Sequence, residues 1–476
     1  MTLVLDTLWP ERETRSVPVA LIGASLTIGL LAALTVDLEA FGLALAVVGW
    51  AVLGTALWFA PARPTTEQLV AAGTAAALMA VVALRSAAWL DALCVLGAVG
   101  LGTVTVVRGT TWTGVTLGAL APLAVLPLTP SWLKRAVSGR RLALGTTRGA
   151  LVAVLTLLLV LVFGSLFAAA DPAFSSLVGD LLPSADLPLV VQRAFVLALA
   201  AAAALVASCL AMFPPAVDEL APPAAQPVRR WEWVVPLAAL DAVFVTFVVV
   251  QLAVLFGGRR HVLETQGLSY ADYARQGFWQ LLTVTVLTLA VVAAATRWAP
   301  RATARDRLVV RVLLGVLCVT ALVIVASALH RMSLYEKEYG FTRLRLLVQV
   351  VEVALGAVYV LLLAAGVALH AAWLPRGVVG LAAASLLVLA ALNPDAYVAR
   401  HNVDRFLQTG KLDVAYLSTL SADAVPELQR LPGARRTCAL APIASGLRDV
   451  QDHWYDGNLA RTRARHLLGG QLSVCR

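Results

Sequence analysis

The chain has 476 residues, of which 60% are hydrophobic and 14% charged, and its formal net charge at pH 7 is +9. A soluble protein carries about 25% charged residues, so this composition excludes an ordinary soluble globular domain. Nor does the positive charge point to nucleic acid, which is not expected as a partner, because basic residues of membrane proteins collect in cytoplasmic loops.

Apolar runs of about 18–26 residues recur along the chain, each long enough to cross roughly 30 Å of hydrocarbon as a helix that satisfies its own backbone groups. In order they cover 17–36, 41–60, 68–84, 87–107, 113–128, 149–170, 190–213, 233–257, 278–296, 308–329, 344–370 and 377–392. The fold class expected is all-α: a polytopic transmembrane helical bundle of about 12 spans (about 11–13), with the lipid bilayer as its surroundings. The run 113–128 is short and holds Pro122 and Pro127, so it either spans or re-enters. The first run lacks a basic start and a small-residue cleavage site, which reads as a retained helix rather than a removed signal peptide. Three sections follow: N-terminal transmembrane helices at 1–148, a C-terminal transmembrane bundle at 149–392, and a helical tail at 393–476.

Arginine placement sets the expected orientation. Segment 131–148 holds Lys134, Arg135, Arg140, Arg141 and Arg148 without an acid, the pattern of a cytoplasmic loop. Segment 171–189 holds Asp171, Asp180 and Asp186 without a base, and is expected outside. Arg229 and Arg230 return 214–232 to the cytoplasm, and Arg297, Arg301, Arg305, Arg307 and Arg311 put 297–311 on the same side. The same alternation predicts that 258–277, 331–343 and everything after Leu392 lie outside, giving a multi-pass cell-membrane protein with an extracytoplasmic C-terminus.

The segment 267–280 concentrates polar and aromatic residues immediately before an apolar run. Ser269 and Asp272 have the spacing of a helix start. Tyr270 and Tyr273 share a helix face, Arg275 follows, and Phe278 and Trp279 mark the passage into lipid. An interfacial anchor accounts for part of this, but two tyrosines, an arginine and a cap exceed what anchoring needs.

Ionisable groups inside apolar runs are expensive and normally face protein or water. Asp91, Asp241 and Glu352 are such groups. Arg345, Gln349 and Glu352 follow i, i+4, i+7 spacing and form one polar stripe continuing the loop that carries Arg331, Tyr335, Glu336 and Glu338. The competing reading is a structural ion pair, with Glu352 held by an arginine. Asp241 is either the partner of a buried arginine such as Arg193 or a proton site, and Asp91 is placed near a helix end.

In the tail, Asn393-Pro394-Asp395 reads as a helix start and Gly410 as its stop. Asp413 and Ser421 read as further caps, and an amphipathic stretch is expected over about 446–468. Cys94, Cys209 and Cys318 sit in apolar runs as small core residues. Cys438 and Cys475 both lie in the tail, where in an oxidising compartment they can close a loop worth about 3–4 kcal/mol or remain free thiols.

Catalytic signatures are missing. There is no phosphate-binding glycine loop, no nucleophile elbow, no H-E-x-x-H and no Cys/His metal spacing, so no metal and no cofactor is expected, and His401 reads as a surface or helix-end residue. A polar cleft is expected where 258–277, 331–343 and the tail meet, lined by Tyr270, Tyr273, Arg275, Arg331, Glu336, Arg345, Glu352, Asp395, Arg400, Asn402 and Asp413. Arginines beside tyrosines suit an anionic lipid head group.

The strings Tyr270-Ala-Asp-Tyr-Ala-Arg-Gln-Gly-Phe-Trp-Gln280, the loop 331–345, and Asn393-Pro-Asp395 with Arg400-His-Asn402, Arg405, Thr409-Gly-Lys411, Asp413, Tyr416 and Asp423-Ala-Val-Pro426 resemble the bacterial multi-pass membrane family catalogued as domain of unknown function 4173, related to 4153. The resemblance covers about 230–430. It implies a bacterial integral membrane protein without an assigned activity, and it carries over no catalytic residue.

Three functions remain open at this stage: a binding or sensing role toward an envelope ligand, an anionic lipid or a partner protein; a transporter of a small solute or lipid using Glu352 and Asp241; and an envelope-facing enzyme with Glu352 or Asp413 as general base.

Overall fold

The computed structural model describes residues 7–9, 16–38, 40–138, 187–221, 228–256, 270–299, 303–368, 371–450 and 453–469, with scattered positions between 156 and 171. No strand occurs among the described residues. Eight of the described helices are long and apolar enough to cross a membrane, or nine if one bent pair counts as a single span. The protein is a helical, multi-pass integral membrane protein. The expected run at 149–170 and the loop at 171–189 fall almost wholly outside the described residues, as does 258–269, whereas 270–277, expected as the end of a loop, is the helical start of the segment that runs to Trp298.

The chain divides into two compact units, Met1–Leu220 with Val450–Thr462, and Ala221–Asp449 with Arg463–Arg476. The first unit contains α1 (Val19–Thr35), α2 (Leu43–Phe59), α3 (Thr66–Leu84), α4 (Ala88–Val107), α5 (Trp112–Val125), α6 (Thr129–Ser138) and α7 (Leu187–Met212). Helices α1 and α2 have 17 residues each, at the lower end of the roughly 17–25 that a span takes. The proline-bearing run forms α5, and α6 follows after a short break at 56° to it, where part of a loop was expected. Ile28 and Ala32 of α1 pack with Val196, Ala200 and Ala204 of α7. Gly29 belongs to this seam, since a Cβ there would lie 2.7 Å from the Leu197 carbonyl oxygen. Arg193 donates to the Ala33 carbonyl at 2.9 Å.

One further contact in this unit joins residues far apart in sequence. The Asp218 carboxylate accepts from the hydroxyls of Thr110 and Thr111 at 2.8 and 2.7 Å and from the backbone N–H groups of both. Thr111 is also the N-cap of α5, accepting from Gly114 N–H at 2.9 Å, so an acid sits at the positive end of that helix. Burial works to raise the Asp218 carboxyl's pKa, but the four donors outweigh it and hold it below its ordinary value.

The second unit contains α8 (Arg230–Phe256), α9 (Tyr270–Trp298), α10 (Ala304–Tyr339), α11 (Arg343–Ala368) and α12 (Leu374–Leu392), then the short helices α13 (Pro394–Thr409), α14 (Val414–Leu417), α15 (Val425–Leu428) and α16 (Gly433–Asp449). Helix α10 has 36 residues. At 1.5 Å per residue it is roughly 54 Å long, so it overruns a ~30 Å hydrocarbon layer. Phe278, Leu281, Val292 and Ala295 of α9 interlock with Leu317, Ala321, Ile324, Ala328 and Met332 of α10 and with Val348 and Tyr359 of α11. The spacing of these positions, three and four apart, is that of one buried helix face.

Helix α13 starts one residue after α12 and packs back on the α10–α11 turn. The expected stop holds, with Gly410 left-handed at φ 71° and its N–H donating to the Phe406 carbonyl. Asp413 caps α14, accepting from Tyr416 N–H at 2.9 Å. The expected single stretch over 446–468 is instead broken: α16 ends at Asp449, a 3-10 turn covers Trp454–Asp456, and α17 covers Leu459–Leu468. Asn458 starts the last of these helices, its Oδ1 capping Arg461 N–H while its Nδ2 donates to the Val82 carbonyl at 3.0 Å near the end of α3.

Candidate functional site

Helices α9, α10 and α11 are successive and antiparallel, so the first turns of α9 and α11 lie beside the last turns of α10. A cavity of about 290 Å³ opens there, lined by Phe278 and Trp279 of α9, Met332 and Tyr335 of α10, Thr342 in the turn, and Leu344, Arg345 and Val348 of α11. The Arg345 guanidinium carbon sits 4.2 Å from the centre of the Tyr335 ring, a cation–π contact. Its Nη1 donates to the Gly340 carbonyl. Trp279 is half exposed. One cation thus sits at the polar edge of an otherwise apolar and aromatic wall.

A line of polar groups runs inward from Arg345 along α11, on the face made by Arg345, Gln349, Glu352, Gly356 and Tyr359. Glu336 of α10 is buried, and its Oε2 accepts from Gln349 Nε2 at 2.7 Å. Glu352 has 0% exposure, and its Oε1 accepts from the Thr285 hydroxyl of α9 at 3.4 Å. Tyr359, also wholly buried, donates to the Thr285 carbonyl at 2.6 Å. Among the described residues no arginine holds Glu352, which has Thr285 as its partner. Oε1 of Glu336 and Oε2 of Glu352 have no hydrogen-bond partner among the described residues, and neither oxygen of Asp241 has one. Asp91 of α4 is buried.

The tail closes over this end of the bundle by a set of directed contacts. Arg343, the first residue of α11, grips Asp395 in bidentate fashion, Nε to Oδ1 at 2.7 Å and Nη2 to Oδ2 at 2.5 Å. Asp395 is completely buried and also accepts from Ser421 N–H at 2.7 Å. Arg343 N–H donates to the Tyr416 hydroxyl at 2.7 Å. Burial pushes the Tyr416 phenol up, against the pull of that N–H. Asn402 brackets Phe341, accepting from its N–H at 3.0 Å and donating to its carbonyl at 2.8 Å. Gly340 is left-handed at φ 82°, and a Cβ there would meet Asn402 Oδ1 at 2.5 Å, so this turn requires glycine twice over. Arg405 donates to the carbonyls of Lys337 and Glu338, and Lys411 pairs with Glu338 at 3.0 Å on the surface.

These contacts sort the residues expected to line a cleft. Arg345 lines the cavity, and Glu336 and Glu352 lie on the buried polar line leading from it. Asp395, Asn402 and Asp413 instead make the contacts that dock and cap the tail. Arg331 is half-buried on α10, and Arg400 is exposed on α13. The side chains of Tyr270, Tyr273 and Arg275 lie outside the described residues. Cys94, Cys209 and Cys318 are free and buried, whereas Cys438 is disulfide-bonded. The expectation for Cys475 lies outside the described residues. Among the described residues no group of His, Cys, Asp and Glu is placed to hold a metal ion.

The family described as Domain of unknown function (DUF4153) matches residues 73–431. The chain belongs to that family. The match is to the related 4153 rather than to 4173, and it begins near residue 73 instead of 230, so most of the first compact unit is included in the DUF4153 region. Its far edge at 431 follows α15, leaving α16 and α17 beyond it. No curated protein and no solved structure matches the chain.

Sequence reasoning overlooked Thr285, Tyr359 and Arg343. Tyr359 was within reach, lying one heptad beyond Glu352 on the same helix face. Thr285 carries no such signal, because only the packing of α9 on α11 brings it to Glu352.

Proposed function

We propose that this integral membrane protein binds an amphiphilic envelope ligand with an anionic head group, at the cavity beside Arg345, and serves as a binding or sensing component. The observation that carries this reading is the cavity lining. Phe278, Trp279, Met332, Leu344 and Val348 offer an apolar and aromatic wall, with one arginine and one threonine at its polar edge. That is the distribution an amphiphile's chain and charged head require.

The same reading puts the tail and the cavity outside the cytoplasm. The alternation of arginine-rich and acidic loops supports this, and so does the disulfide at Cys438, since such bonds persist in oxidising compartments.

The test is native mass spectrometry of protein released from nanodiscs of mixed phosphatidylglycerol and phosphatidylcholine. The wild type should retain the anionic lipid preferentially, and Arg345→Gln should lose about tenfold of that preference, or ~1.4 kcal/mol, as expected for one charge-assisted contact. Equal retention by both proteins refutes the site. A second reading, transport of a small solute or lipid, is favoured by one observation, the carboxylates of Glu352 and Asp241 buried in apolar helices.

A further inference from the structure

Among the described residues, three buried acids of the second unit (Glu336, Glu352 and Asp241) have oxygens without partners, and two of them share one helix interface with a line of hydroxyl and amide groups. Glu336 is bonded through its other oxygen to Gln349, which lies one turn from Glu352 on α11. Glu352 meets Thr285, whose carbonyl accepts from Tyr359, and Thr288 is within hydrogen-bonding reach of the same phenol. Cys318 of α10 lies within electrostatic range of both Tyr359 and Asp241. From Arg345 to Tyr359 is fourteen residues of helix, roughly 21 Å, a large part of a ~30 Å hydrocarbon layer.

A carboxylate at the position of Glu352, with one long hydroxyl contact and no cation, costs several kcal/mol of desolvation that a bound proton removes. The bland alternative, a pair knitting two helices together, would show a cationic partner. Glu352 has none among the described residues: α9 contributes Thr285 and Thr288, α12 has no titratable side chain beyond Arg376 in its first turn, and α10 presents Glu336, Cys318 and Tyr335, the last of these under the Arg345 guanidinium. The remaining groups near the line are Arg345 and Tyr359 of α11 itself, Asp241 of α8, and Tyr397 of α13. Burial pushes the Tyr397 phenol up, and the neighbouring Glu336 carboxyl adds to the shift. Asp395, a buried acid of the tail, is already taken by Arg343.

We infer that Glu352 is a reversible proton-binding site inside the membrane bundle, reached from the cavity end through Glu336 and Gln349 and continued inward by Thr285 and Tyr359. The step is a single protonation: a proton from the aqueous side adds to one carboxylate oxygen, neutralising it, and departs by the same groups. Glu336 stands between cavity and Glu352 as the relay, since its unpartnered Oε1 can hold the proton while Gln349 fixes Oε2. The inference stands whichever ligand the cavity takes. Its consequence is that an event at Arg345, electrostatically coupled to Glu336, is transmitted to the proton occupancy of Glu352.

The test uses the full-length wild-type protein in nanodiscs, treated with dicyclohexylcarbodiimide, which attacks protonated carboxyls in apolar surroundings. Peptide mass spectrometry should find the adduct on Glu352, and labelling should fall by about tenfold per pH unit on the alkaline side of its titration. Infrared difference spectra across the same pH range should show a protonated-carboxyl band that Glu352→Gln removes. Glu336→Gln should leave Glu352 labelled but slow its labelling after a pH jump. Absence of the adduct at every pH, or labelling that does not change with pH, overturns the inference by making Glu352 a fixed structural acid. Should Glu352→Gln fail to fold, the labelling profile of the wild type decides alone.

Discussion

Replacing Asp395 by Asn tests the account of the tail most directly. The carboxylate is wholly buried and holds the Arg343 guanidinium with two short hydrogen bonds, while Ser421 N–H donates to the same Oδ2. Asparagine keeps an acceptor for Ser421 but removes the charge. Breaking a buried pair by deleting one partner costs about 3–5 kcal/mol. Arg343 retains 29% side-chain exposure and can recover part of its hydration, so the cost falls at or below the bottom of that range, about 2–3 kcal/mol. The loss falls on docking of the tail rather than on the bundle, since both partners lie at its end. Hydrogen exchange measured by mass spectrometry in nanodiscs should therefore quicken by about 30- to 150-fold in peptides from α13, with α7 unchanged. Arg343→Met should by itself loosen the same helix. The double substitution should cost less than the sum of the two, because no unpaired charge remains buried. Exchange of α13 within threefold of wild type in Asp395→Asn, or strict additivity in the double variant, refutes the clamp.

Other consequences are open to simpler checks. Gly114→Ala places a Cβ 2.0 Å from Asp218 Oδ1 and should lower the thermal midpoint in detergent. Asp218→Asn should lower it similarly, with little further loss when combined, since each destroys the same contact, worth about 1–3 kcal/mol. Because the folded Asp218 carboxyl titrates below its ordinary value, its stabilisation is complete above about pH 4 and disappears as the pH falls through the folded value. Wild type should accordingly lose more of its stability between pH 5 and 3 than Asp218→Asn does, and parallel acid profiles would contradict the hydrogen-bond set. Leu407→Cys, at an exposed position of α13, should react with a membrane-impermeant maleimide in intact cells; labelling only after lysis would reverse the proposed orientation of tail and cavity.

Much of the helical plan was legible because hydrocarbon leaves few options. Runs of about twenty apolar residues must form helices, and the boundaries at 88–107, 187–212, 343–368 and 374–392 fall within a few residues of the apolar runs. The caps at Gly410 and Asp413 were likewise readable from local chemistry. The polar stripe from Arg345 to Glu352 was visible too, as a spacing along one helix. What each of its members touches was not. Asp395, at a helix start, and Glu352, inside an apolar run, give no hint of their partners in the sequence, yet one is saturated by Arg343 and Ser421 and the other meets a single threonine hydroxyl.

The amino-acid order by itself therefore determined that the chain is helical and membrane-embedded, and roughly where each helix begins, because burial of the backbone in lipid is a local requirement met within each segment. The tertiary structure alone decided which acids are spent in clamps and which keep an oxygen unpartnered. That distinction depends on partners brought from 52 and 67 positions away, as for Arg343 with Asp395 and Thr285 with Glu352, and helix periodicity carries no information at such distances.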